Sequence, residues 1–165
     1  MEIFDLLPDG PRFEDKFRRL AASDSRFDAS LGRMMLDLIE CLRRGIVGPR
    51  LAATVPSLRG ELLWLQYADG HGHHTMIRIG VDYYDRSPLV DGLPQLHYRL
   101  SYDRPVPLTN EEVAGQLEAL RLNANGLARA PAQASRGPPA ELRTRDVREA
   151  SNFVHEAIRD CKQGT

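Results

Sequence analysis

Four side chains that could bind or process a nucleic acid lie within one part of the chain. They are Trp64, Arg78, His97 and Arg99. Arginine makes charge-assisted, fork-shaped hydrogen bonds to phosphate, and an indole ring stacks on a nucleobase with a gain of about 1–3 kcal/mol. Histidine has an ordinary pKa close to neutrality and can therefore transfer protons. These residue types indicate phosphate binding and acid–base chemistry, provided that the fold brings them together.

Three segments with the composition of β-strands carry these side chains. They cover residues 60–67, 74–84 and 95–102 and are rich in β-branched and aromatic residues. Successive side chains of a strand point to opposite sides of the sheet, so each segment has an apolar side that should face a core. That side is predicted to consist of Leu63, Leu65, Tyr67, Ile77, Ile79, Val81, Tyr83, Leu96, Tyr98, Leu100 and Tyr102. The other side is predicted to carry Trp64, Gln66, Arg78, His97 and Arg99, near Arg59 and Arg104 at the strand ends.

Helical periodicity surrounds the strands. Apolar residues at helical spacing predict helices over 11–22 and 28–44, and their short link predicts an antiparallel hairpin packed on the sheet. A capping-box spacing predicts a further helix from Thr109 to about residue 123. The expected fold class is α+β, with a helical hairpin packed on a small twisted, mostly antiparallel sheet and followed by C-terminal helices.

The chain is expected to divide into a main domain and an appended helix. Residues 1–125 form the predicted α+β domain, in which residues 48–56 are expected to be a connector between prolines. Residues 126–140 are rich in Gly, Ala, Pro and Ser and resemble a linker. Residues 141–165 are predicted to form a C-terminal helix that either docks on the domain or projects to bind a partner.

Overall composition points to no particular polyanionic partner. Lys and Arg total 22 against 23 acidic residues, which gives a formal net charge of −1. Nucleic-acid-binding proteins usually have a basic excess or a basic face, so an anionic partner would need a local patch here. The acidic N-terminus does not resemble a signal peptide, and no apolar run approaches the roughly 18 residues of a membrane span. The expected location is the cytoplasm, with no membrane contact.

Histidines and aspartates give only weak indications of a metal site. The segment HGHH covers residues 71–74, but adjacent histidines of a strand point to opposite faces and no cysteine or carboxylate is placed to complete a ligand set. Asp82, Asp85 and Asp91 are interpreted as solvated loop residues. Cys41 and Cys161 lie far apart and imply no disulfide framework. We therefore predict neither a metal nor a cofactor.

The order of elements resembles the RelE/HigB toxin superfamily over roughly residues 12–125. The first two predicted strands and their flanks read PSLRGELLWLQY and HHTMIRIGVDYY. In that family a helical hairpin precedes a strand with a Pro–x–x–(Lys/Arg)–Gly–x–Leu–x–Glu–Leu–Arg-like pattern, and an arginine-bearing strand follows it. The segment LHYRLSYDRPVPLTNEEVAGQLEAL is similar to the family's third strand, basic loop and final helix.

This resemblance implies a metal-independent ribonuclease of a toxin–antitoxin pair. Such a toxin cleaves mRNA on the ribosome through attack by the RNA 2′-hydroxyl and is neutralised by an antitoxin. Arg78 matches the arginine of the second strand, and Arg99 stands where the third strand bears Lys or Arg. Arg104 falls in the basic loop, and Arg59 matches the basic position before the first strand. The expected catalytic residues are Arg78, Arg99, Arg104 and His97, with Arg59 and Trp64 as substrate-binding residues.

Two departures from the family pattern favour an alternative function. Gln66 stands where the family has an arginine at the end of the first strand, and the charge of the chain is balanced. The alternative is that the chain has the same fold but is a non-catalytic inhibitor or immunity-type protein that binds a protein partner. A purely structural interpretation also stays open, in which the last helix covers Trp64 and the arginines pair with local carboxylates.

Overall fold

A mixed, mostly antiparallel sheet forms the centre of the described part of the chain. The computed structural model describes residues 1–6, 12–44, 49–56, 61–68, 74–83, 89–90, 92–105 and 136–163. Within these ranges the sheet has six strands whose spatial order equals their order in the chain. The strands are β1 Glu2–Asp5, β2 Arg50–Thr54, β3 Leu63–Ala68, β4 His74–Tyr83, β5 Leu96–Pro105 and β6 Arg136–Thr144. Only β1 and β2 are parallel; every later neighbouring pair is antiparallel.

Three helices accompany the sheet in the described ranges. They are α1 Phe13–Ala21, α2 Arg26–Arg44 and α3 Val147–Gln163. Side chains outside α1 and α2 cap their first turns: the Asp5 carboxylate accepts from the Phe13 N–H at 2.7 Å, and the Ser25 hydroxyl accepts from the Asp28 N–H at 3.3 Å. None of these helices is long and apolar enough to span a bilayer.

Strand alternation sorts the side chains as the sequence predicted. Most of the predicted apolar set is buried; Val81 and Leu96 are only partly buried, and Tyr83 is exposed. The Tyr98 hydroxyl donates to the Met34 carbonyl oxygen at 2.7 Å and so ties β5 to α2. We call the buried side of the sheet the inner face and the opposite side the outer face.

The sheet is larger than the predicted small one. Residues 50–54, expected in a connector, form β2, and β1 near the N-terminus was not predicted at all. Residues 136–140, expected in a linker, and 141–144, expected in a helix, together form β6. These strands escaped prediction because they are short or contain glycine and proline, which weakens the strand pattern in the sequence.

The C-terminal helix docks on the inner face. In α3 the buried residues are Ala150, Ser151, Phe153, Val154, Ala157, Ile158 and Cys161. The Phe153 ring meets the Tyr102 ring edge-on, with 5.2 Å between centroids. The interpretation that the last helix covers Trp64 is therefore wrong, because α3 lies on the opposite side of the sheet. The helix predicted over 109–123 and the loop residues 71–73, 85 and 91 lie outside the described residues.

Helices α1 and α2 are in close contact at Gly32. A Cβ atom added to this buried glycine would lie 2.3 Å from the Ala21 nitrogen and 2.7 Å from the Phe17 carbonyl oxygen. Both are backbone atoms of α1, which cannot move aside as a flexible side chain can. Glycine at this position is therefore a requirement of helix packing.

The first prediction concerns this contact. Gly32→Ala should lower the free energy of unfolding by about 2 kcal/mol through overpacking, although the same change in a helix interior ordinarily stabilises by about 1 kcal/mol. Urea denaturation measures the difference. The control Ser30→Ala, on the same helix, should change stability by less than about 0.5 kcal/mol. A Gly32→Ala variant as stable as the parent would contradict the described packing.

A carboxylate joins the two helices and makes their contact sensitive to pH. Glu14 of α1 accepts from Arg43 of α2 and pairs with Arg18 at 3.0 Å. The hydrogen bond from Arg43 lowers the pKa of Glu14 below its ordinary value of 4.5, against the opposing effect of burial. A lowered folded-state pKa stabilises the fold above about pH 4.5, and this stabilisation is lost as the pH falls through the folded-state value.

The second prediction follows from the lowered pKa of Glu14. Glu14→Gln should reduce the free energy of unfolding at pH 7 by up to about 1 kcal/mol, and the difference from the parent should shrink once the pH falls below about 4.5. Denaturant titrations at a series of pH values measure it. Glu40→Gln, which removes an exposed pair with Arg44, is the matched control and should have a smaller effect at pH 7. A Glu14→Gln effect independent of pH would contradict the ion pair.

Candidate functional site on the outer face

The sheet brings the four predicted residues of the central strands to the outer face. In the strand register Trp64 lies opposite Arg78, and Gly80 lies opposite Arg99. His97 lies opposite Asp82 near the start of β5. All four predicted side chains are partly exposed. Their shared face agrees with the alternation that was predicted from the sequence.

A polar pocket of about 230 Å³ opens at the centre of this face. Gly80 adds no side chain to the lining, so the side chains of the neighbouring strands form the walls. The indole N–H of Trp64 donates to the Glu61 carboxylate, which fixes the ring at the rim. The lining residues are Glu61, Arg78, Gly80, Arg99, Ser101, Glu141 and Arg143.

Arg78 is held by a carboxylate of the adjacent strand. Its two terminal nitrogens donate to the two carboxylate oxygens of Asp103 at 3.0 and 3.5 Å, in the fork geometry that suits this pair. The hydrogen bond to Asp103 raises the pKa of the Arg78 guanidinium above its ordinary value, partial burial opposes that rise, and the Glu61 charge adds to it. Arg78 therefore stays protonated, and Asp103 holds its guanidinium group in place and offsets its positive charge.

The other two arginines of the pocket share a carboxylate. Arg99 of β5 and Arg143 of β6 are directly opposite each other, an arrangement in which like charges repel. The Asp82 carboxylate lies 3.9 Å from the Nε of Arg99 and 3.9 Å from an Nη of Arg143. Its position between the two guanidinium groups offsets their repulsion. The interpretation that the arginines of this face pair with local carboxylates is confirmed.

Acidic groups balance the basic groups in and around the pocket. The three arginines are matched by four carboxylates, namely those of Glu61, Asp82, Asp103 and Glu141. A phosphate entering the pocket would compete with these carboxylates for the same N–H donors.

Arg104 is not brought together with the other predicted catalytic residues. Its Nε lies 3.9 Å from the Asp160 carboxylate of α3, on the inner-face side of the sheet. Arg104 and Asp160 both contact the Tyr102 hydroxyl, which donates to Asp160 at 2.5 Å. Burial and then the bond to Asp160 raise the pKa of Tyr102 to about 12. Arg59 lies outside the described residues.

Sequence reasoning missed the part of the pocket that β6 supplies. Glu141 and Arg143 alternate with the inward residues Ala140 and Leu142, which is a strand pattern, but the preceding glycine and prolines suggested a linker. Strand parity places Asp103 on the same face as Ser101, but its pairing with Arg78 also requires the register that sets Ser101 opposite Arg78.

The remaining chemistry of the face is limited. Within the described ranges no group of three His, Cys, Asp or Glu side chains is placed to hold a metal ion.

Comparisons with protein-family models, with curated proteins and with solved structures found no match.

The third prediction concerns the ion pair between Arg78 and Asp103. A double-mutant cycle with Arg78→Gln and Asp103→Asn should give a coupling energy of about 1 kcal/mol at low salt, after allowance for solvent screening of a partly exposed pair. Urea denaturation of the four proteins measures it. The control cycle on the exposed pair Glu40–Arg44 should give less than about 0.5 kcal/mol. Equal coupling in the two cycles would show that the Arg78–Asp103 pair is not preorganised.

Proposed function

We propose that this chain is a non-catalytic binding protein that holds a protein partner on the outer face of its sheet. The observation that carries the proposal is the compensation of the pocket arginines by carboxylates, above all the two-pronged Arg78–Asp103 pair. A site that binds phosphate needs cations free to donate to it. Here Asp103 accepts from both terminal nitrogens of Arg78, and the Asp82 carboxylate lies 3.9 Å from both Arg99 and Arg143. The inhibitor or immunity-type class fits this balance.

The composition of the face suits a protein interface. Tryptophan and arginine are the residue types that most often dominate binding energy when a partner buries them. Trp64 and Arg78 face each other across β3 and β4, so a partner could cover both at once. Ion pairs at the rim, such as Arg143 with Asp82 at 3.9 Å, would set the orientation of the partner more than its affinity.

A second candidate is a RelE/HigB-like ribonuclease that cleaves mRNA without a metal by 2′-hydroxyl attack. The specific observation in its favour is that Trp64, Arg78, His97 and Arg99 share one face, where stacking, phosphate contact and proton transfer could act together. Arg104 would then act elsewhere than in this site. The partners of such a ribonuclease would be an antitoxin, the ribosome and mRNA. Either candidate would be expected to work in the cytoplasm.

We also propose that α1 and α2 form an antiparallel helical hairpin that supports the sheet. The pairing of Glu14, early in α1, with Arg43, late in α2, supports the antiparallel direction. The hairpin would steady β5 from behind through the bond from Tyr98 to Met34.

The fourth prediction separates the two functional candidates. Induction of the chain in a bacterial host should cause no growth arrest, and purified protein should leave mRNA on translating ribosomes intact. The matched variants are Arg78→Ala in the pocket and Arg50→Ala, a paired arginine of β2 that does not line the pocket. Arrest that Arg78→Ala relieves and Arg50→Ala does not would overturn the binding proposal in favour of the ribonuclease.

The same proposal predicts where a protein partner touches the chain. A photo-crosslinking residue in place of Trp64 should give one discrete adduct when the products of neighbouring reading frames are co-expressed, and the same residue in place of Glu40 on α2 should give none. Arg143→Glu should weaken the complex by roughly tenfold, as expected for a contributing interface arginine. Adducts only from the helix side, or adducts only with RNA, would contradict a protein partner on the outer face.

A further inference from the structure

A second pocket, of about 330 Å³, lies on the helix side of the sheet where β5 begins. Two of its arginines come from α2 and the third comes from the junction between β6 and α3. We call it the arginine pocket and define it by Arg26, Arg33 and Arg145. The other lining residues are Ser30, Met34, Val90, Leu93, Pro94, Gln95 and Leu96.

The charges of the arginine pocket have no carboxylate partner in the described part of the chain. Arg33 donates from Nε to the Ala29 carbonyl oxygen at 3.1 Å, and Arg145 donates to the Gln95 side-chain oxygen at 2.7 Å. Both acceptors are neutral, so they position the guanidinium groups without offsetting the positive charge. Over the same described ranges none of the three arginines forms an ion pair.

Like charges gathered around one cavity raise the free energy of the folded state unless an anion joins them. In the outer-face pocket, which is of similar size, neighbouring carboxylates offset the repulsion between the arginines. Among the residues that the structure describes, no acidic side chain lines the arginine pocket. Its three cations are exposed side chains with donors left for a ligand.

Apart from Ser30 and Gln95, the other described lining residues are apolar. Met34, Leu93, Pro94 and Leu96 contribute hydrocarbon surface beside the cations. At the mouth, Val90 and Leu93 exchange backbone hydrogen bonds of 2.9 and 3.0 Å. Gly92, which precedes Leu93, has a φ of 78°, a conformation that glycine adopts without strain. The Val90 side chain is 50% exposed, which leaves an apolar edge available to a ligand.

We propose that the arginine pocket binds a small organic anion in which one phosphate or carboxylate group is attached to an apolar body. Guanidinium forks recognise either acidic group, and the neighbouring aliphatic side chains would cover the apolar part. The volume lies at the lower end of the range for small-molecule sites, roughly 300–1,000 Å³. The site is separate from the outer face and does not depend on the function proposed for it.

Titration calorimetry with phenyl phosphate tests the proposal, with benzoate run beside it to distinguish the two acidic groups. Phenyl phosphate or benzoate should bind, and inorganic phosphate and phenol should each bind at least about tenfold more weakly, because each lacks half of the contacts. Arg33→Gln and Arg145→Gln should each weaken binding by about tenfold. Arg44→Gln, which removes an equal charge from α2 away from the pocket, should leave the affinity unchanged.

The variants are expected to fold normally, since all three arginines are exposed, and their melting temperatures should stay within about 2 °C of the parent. Three results would overturn the proposal: absence of binding of both aromatic anions at millimolar concentration, equal binding of inorganic phosphate, or equal losses in Arg33→Gln and Arg44→Gln. The last result would indicate general charge attraction in place of a site.

Discussion

A side chain in a β-strand can point to only one of the two sides of its sheet, and this constraint determines the organisation of the molecule. The inner face takes Leu65, Ile77 and Leu100 into a core with no exposure to solvent. Burial of that set fixes the register of the strands, because a shift of one residue would turn every apolar side chain outward. The same register then places Arg78 and Arg99 together on the outer face. The arrangement of the polar site is thus a consequence of packing on the other side of the sheet.

Two clusters of three arginines differ in how their charge is compensated. On the outer face Asp103 clamps Arg78, and Asp82 lies between Arg99 and Arg143. On the helix side no acidic residue accompanies Arg26, Arg33 and Arg145 among the described residues of the pocket lining. The formal net charge of −1 averages over these two environments and reveals neither. Recognition of anions depends on local compensation, which is set by which strands and helices meet.

Much of the fold could be predicted from the sequence, but the completed site could not. Periodicity indicated the central strands and the first two helices, because their apolar residues recur at the spacing of one buried side. The β2 and β6 strands are short or contain glycine and proline, so the sequence suggested a connector for β2 and a linker and helix for β6.

The position of Arg104 shows how one misplaced strand end affects a site prediction. The third strand was expected to end at residue 102, whereas β5 continues to Pro105. Parity along this longer strand puts Arg104 on the side of Tyr102 and away from Arg78. The pairing of Arg78 with Asp103 depends on register between strands, which no local spacing encodes.

The two edges of the sheet have a consequence for self-association. Among the described strands one edge is β1, which has four residues, and the other is β6, which contains the adjacent prolines Pro138 and Pro139. Proline has no N–H to offer a new strand, and a very short edge offers few groups to pair. Both features are recognised protections against edge-to-edge aggregation. These two described edges are therefore poorly suited to growth of the sheet by strand addition.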